Sequence, residues 1–200
     1  QYHNVDDSMI TAPPSLRAAL KTMQAVVKDK LHLLKVLEPS TYTKKCPLLH
    51  ATVGQHIRHS LHHVNESLKP LMESRNKGVL DYDNRARGDE IETDIEHAKH
   101  TVAKLSELIT RLLDDTQLED SATKLVVVAF HMSEEEGESV LFDSTVAREV
   151  AFSSHHAMHH LAQMKISVEA GGGVVDGALC QTFGMARSTK FALGLLAKGS

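Results

Sequence analysis

The sequence predicts an all-α fold, an antiparallel four-helix bundle with a small β-hairpin inserted before the last bundle helix. Three observations predict it. Four stretches carry apolar residues at steps of three and four, the period of a helix that buries one face. The links between them are short. Aromatic residues make up only 4% of the 200 residues and there is no Trp, so Leu, Val, Ala and Met must fill the core, as where helix packs on helix. The length suits one domain, 1–200, with an extended arm at 1–14 and a C-terminal extension at 174–200.

The arm ends at Pro13-Pro14, and Ser15 can cap a first helix over 15–37 whose core face is Leu16, Leu20, Met23, Val27, Leu31 and Leu34. Pro39 stops it, and EPSTYTKKCP reads as a loop. A second helix, 48–72, starts near Pro47 and buries Val53, Ile57, Leu61, Val64, Leu68 and Leu71. His56, Ser60, His63 and Ser67 flank that face, while His59, and further round Arg58 and His62, turn away from it. His56 and His63 are two turns apart, about 10 Å along the axis, so one helix cannot bring both to one small ion. Pro70 bends or ends the helix.

The stretch KGVLDYDNRARGD reads as a loop, rich in Gly, Asp and Asn. It clusters Tyr82, Arg85 and Arg87, which suit either a solvated polar loop or an anion clamp, since a guanidinium fork matches carboxylate or phosphate. A third helix, 89–113, is expected with Asp89 as cap and Glu92 three residues on. Its seam of Ile91, Ile95, Ala98, Val102, Leu105, Ile109 and Leu112 leaves His97 and His100 outside. Residues 123–142 change character: two β-branched apolar runs flank an acidic turn with Gly137, a β-hairpin. The last bundle helix is 145–170, and FGMARSTKFALGLL can end in a short further helix.

Helix 145–170 holds the strongest chemical signal. Val150, Ala157, Leu161, Met164 and Val168 make its core face. Glu149, Ser153, His156, His160, Gln163 and Ser167 form a second stripe without Lys or Arg, which fits a face turned to an internal pocket. His156 and His160 are four apart, so both rings project from neighbouring turns, the spacing of a helical two-histidine metal site. His155 and His159 repeat that spacing on another face. Glu149, two turns before His156, can orient a ligand, act as a base, or serve as a surface or capping residue.

Composition narrows the class. A net charge of -4 gives no electrostatic footprint for nucleic acid or an anionic membrane. Cys46 and Cys180 form no CxxC pattern and no disulfide framework, which reads as reduced thiols and a cytoplasmic setting. No apolar run reaches transmembrane length, and the polar start has no signal-peptide core.

Several stretches together resemble the DinB/YfiT-like superfamily: GQHIRH at 54–59, YDNRARG at 82–88, IETD at 91–94, REVAF at 148–152, HAMHHLA at 156–162 and FGMARST at 183–189. Arg187 stands where the group carries proline. The resemblance implies a metal-binding helical bundle, often a homodimer, with one histidine from the second helix and two from the last. Placed on this chain, those are His56, His156 and His160. His59 or His63 can stand in for His56, and His155 with His159 for the other pair. Three imidazoles leave an open position on a divalent ion, Zn²⁺ foremost with Ni²⁺ or Fe²⁺ as alternatives. The expected function is a metal-dependent transferase of thiols or a hydrolase, acting on a small substrate that Tyr82, Arg85 and Arg87 hold. The competing readings are a metal-storage or sensing protein and a structural dimer with a degenerate site.

Overall fold

The computed structural model describes residues 15–72, 79–84, 88–132, 139–173, 183–185 and 187–193. Four long helices dominate: α1 (Leu16–Val36), α3 (Val53–Met72), α4 (Ile95–Asp114) and α5 (Val146–Ala170), with two short ones, α2 (Pro39–Tyr42) and α6 (Arg187–Ala192). Three strands join them: β1 (Val79–Asp81), β2 (Leu125–His131) and β3 (Ser139–Thr145). β2 and β3 form the expected hairpin, with Val128 opposite Phe142. β1 adds to the other edge of β2, parallel to it, with Leu80 opposite Val128.

This corrects the all-α expectation: the chain is a mixed fold, helices with a three-stranded mixed sheet, and not a plain four-helix bundle. The physical reason lies in β1. Three residues are too few to show a two-residue alternation, and their Gly- and Asp-rich surroundings read as loop. They become a strand only because β2, from far along the chain, supplies hydrogen-bond partners, and Leu80 is fully buried in the process.

Helix ends follow local chemistry where partners are local. Ser15 Oγ accepts from Ala18 N at 3.2 Å, and the Glu119 carboxylate accepts from Leu16 N at 3.0 Å and Arg17 N at 2.9 Å, so the first turn of α1 is satisfied. The third helix begins later than its sequence suggests. Asp94, not Asp89, caps α4, accepting from Glu96 N at 2.8 Å and His97 N at 3.1 Å. Residues Glu90–Glu92 form a separate 3-10 turn instead. That turn is pinned to α3: Glu92 pairs with Arg58, and the Glu92 backbone lies against Gly54, where a Cβ would stand 2.1 Å from the carbonyl oxygen. The loop EPSTYTKKCP likewise hides the single turn α2, whose Tyr42 is fully buried and donates to the Ile91 carbonyl.

α5 packs on α1 along one side and on α3 along the other, and α1 also packs on α4. It therefore buries two faces. The α1 side is largely apolar, with Leu16, Leu20, Met23, Val27, Leu33 and Leu34 in the core beside Val150, Ala157, Leu161 and Met164, and with Lys30 and Ser154 as its buried polar residues. Thr145, the last residue of β3, caps α5, so the sheet fixes where α5 begins. No helix among the described residues is long and apolar enough to cross a membrane.

Candidate metal centre

The seam between α3 and α5 is polar. α3 contributes His56, Ser60, His63 and Ser67 and α5 contributes Glu149, Ser153, His160 and Ser167, all buried. The serines are small and largely satisfied by backbone. Ser60 donates to Ile57 O at 3.1 Å, Ser67 to Val64 O at 2.9 Å, and Ser153 crosses to His63 O at 3.0 Å. Small residues leave room for rings, and five imidazoles fill it.

Ligand atoms of His59, His63 and His156 all lie within 4.8 Å of one another, so these three could hold a metal ion. His156 Nε2 is 3.0 Å from His59 Nε2, and the His63 and His156 rings stack with centroids 3.9 Å apart. Two nitrogens bound at 2.0–2.1 Å to a tetrahedral ion sit about 3.3 Å apart, so the His59–His156 spacing is close to that of co-ligands. The cluster continues past His156: His160 Nε2 is 3.2 Å from His156 Nε2, and His160 Nδ1 is 3.1 Å from His56 Nδ1.

Electrostatics favour neutral rings, the form that binds metal. Burial drives the His160 pKa down to about 2, helped by the neighbouring His156, His59, His56 and Lys30. Burial also lowers His56, with His159 adding to it.

Of the residues singled out in the sequence, His56, His156 and His160 do come together, but in a row. His160 meets His56 through one ring nitrogen and His156 through the other. His155 and His159 are exposed, and His159 Nε2 lies 3.0 Å from Gln163 Nε2. Tyr82 is fully buried, stacked on His63 at 4.7 Å with 9° between the planes. Its hydroxyl donates to Glu149 Oε2 at 2.9 Å. Burial and the Glu149 charge, opposed by Ser153, push the phenol well above its ordinary range, so it remains a donor. Arg85 and Arg87 fall outside the described residues. Glu149, fully buried, is held by Tyr82, by Ser144 Oγ at 2.6 Å and by Arg148 at 2.6 Å. It ties the residue after β1, strand β3 and α5 together beside the cluster.

Four residues carry more than their sequence position suggests. His59 and His63 are themselves four apart on α3, the same spacing that marks His156 and His160, so the signal was present on both helices. Lys30 follows the steps of the α1 core face, three after Val27 and four before Leu34, and is fully buried with Nζ donating to Ala157 O at 2.7 Å. Phe152 has no polar atom to single it out, yet its ring stacks on His156 at 6.0 Å and packs near His63 at 6.2 Å.

Comparison with protein-family models, with curated proteins and with solved structures finds no match. What fold and site define is therefore a class: a helical protein with a small mixed sheet and a histidine cluster able to hold a metal ion.

Proposed function

We propose that the chain is a divalent-metal protein whose ion is held by His59, His63 and His156, and that it works as a metal-dependent transferase or hydrolase on a small substrate. The observation that carries this is the convergence of ring nitrogens from three histidines on two helices. A three-imidazole site would keep an open position and supply Lewis-acid chemistry there, the donor set of a catalytic site, with Zn²⁺ the best fit to imidazole at tetrahedral spacing. The protein's own part is to hold the rings. Tyr82 stacks on His63, Phe152 stacks on His156, and Ser153 ties the α3 backbone to α5. The resemblance to DinB/YfiT-like proteins over 54–59 and 156–162 implies a metal between the same two helices and a homodimer, but with one ligand from the second helix and two from the last, so it shares only His156 with the set proposed here.

The test is elemental analysis of protein purified without a nickel column, on single His→Ala variants. We expect one divalent ion per chain, lost in His156→Ala, reduced in His59→Ala and His63→Ala, and kept in His155→Ala. Loss in His56→Ala and His160→Ala with full retention in His59→Ala and His63→Ala would move the ion to the other end of the row. Full retention in His156→Ala would end the metal reading. Turnover of thiol and ester substrates by the loaded protein then separates an enzyme from a binder.

A further inference from the structure

A cleft of about 570 Å³ lies between the hairpin and the start of α5. That volume is within the range of about 300–1,000 Å³ usual for small-molecule sites. Phe130, Phe142 and Phe152 wall it, and Ser144, Asp143 and Arg148 give it a polar side. Phe152 belongs to both sites: it lines the cleft and stacks on His156. The cleft and the histidine cluster are thus separated by one aromatic ring.

Arg148, Phe152 and His156 are spaced by four on α5, so they climb one stripe, a turn apart. From Arg148 to His156 the helix rises about 12 Å. We propose that this cleft binds an elongated amphipathic anion, its acid group on Arg148 and its apolar body along the three phenylalanines, reaching toward the histidine cluster. The statement about where its far end lies rests on the metal reading above; the binding itself does not.

Open donors decide the class of ligand. The Glu149 carboxylate is fully buried and already accepts from Tyr82, Ser144 and Arg148, whose charge offsets its own. Arg148 keeps further N–H donors that an acid group can take, and Asp143 is the remaining charged residue of the lining. Arg148 is the preorganised one: Glu149 holds its Nη1 at 2.6 Å, and its Cζ lies 5.1 Å from the centre of the Phe152 ring. Its side chain is still 57% exposed, so the other donors of the fork are open to a ligand. A held fork loses little freedom on binding an acid.

Three ligands with one tail and different heads test this: octanoate, octanol and octylamine, titrated calorimetrically into the full chain as purified and again after chelation. Octanoate should bind tightest in both states. Arg148→Gln should weaken octanoate at least tenfold and leave octanol unchanged, with Arg148→Lys between. Phe152→Leu should weaken all three. Equal affinities, preference for the amine, no binding, or octanoate affinity untouched by Arg148→Gln would overturn the proposal. So would octanoate binding that disappears on chelation, which would place the acid on the metal. Because binding is also read without metal, its failure leaves the metal reading standing, and the loss of the metal reading leaves the cleft testable.

Discussion

Replacing Lys30 with methionine should stabilise the protein, and by an amount that depends on pH. Lys30 sits on the core face of α1 with no solvent exposure, and its amine donates to Ala157 O. Burial pulls its pKa from 10.5 to about 7, with the Asp29 carboxylate opposing the drop. The folded chain therefore holds this proton less tightly than the unfolded chain. Below about pH 7 both states are charged and the fold bears the whole cost of burying the ammonium. As pH rises from about 7 toward 10.5 only the unfolded state keeps the proton, so stability rises with pH across that window. At about 1.4 kcal/mol per pH unit the full cost is about 5 kcal/mol at most, nearly all present at pH 6 and about 2 kcal/mol at pH 9. Methionine has similar length, no charge, and forgoes one hydrogen bond worth about 1 kcal/mol. Lys30→Met should then be about 3–4 kcal/mol more stable at pH 6, and its advantage should shrink by about 3 kcal/mol by pH 9. Urea unfolding of both proteins with chelator present, at pH 6, 7, 8 and 9, reads this directly, since the other titrations are common to both. A constant difference between the two proteins, or a methionine variant less stable at pH 6, would show that the buried amine is not what the fold strains against.

Further outcomes follow from single contacts. Gly54→Ala should destabilise by about 1–3 kcal/mol by urea midpoint, because the new methyl meets the Glu92 carbonyl; an open helical glycine would instead gain about 1 kcal/mol, so the sign alone decides. Tyr82→Phe should cost about 1–3 kcal/mol by removing a donor from the fully buried Glu149, while metal content stays unchanged because the ring still stacks on His63. An unaltered melting temperature would remove that hydrogen bond from the account. Zinc at a hundred times its Kd should raise stability by about 2.7 kcal/mol, and the rise should vanish in His156→Ala. An equal rise in that variant would assign the stabilisation to other residues.

What the sequence determined is local. Helical periodicity set the buried faces of α1, α3, α4 and α5, because a residue and its neighbours three and four away always share a side. Ser15 marked the start of α1, and the β-branched runs marked the hairpin. The stripe of Ser, His and Gln on α5 announced an interior polar face. The tertiary structure decided whatever needed two distant segments. β1 exists only against β2, which makes the fold mixed where helical periodicity predicted all-α. α4 starts after its cap Asp94 because Arg58 and Gly54 hold the preceding turn on α3. Which α3 histidines meet His156 depends on how far one helix slides along the other, and a slide of one turn exchanges His59 for His63 or His56. Lys30 and Phe152 took their places for the same reason. Periodicity fixes the face a side chain occupies, but only packing fixes what stands opposite.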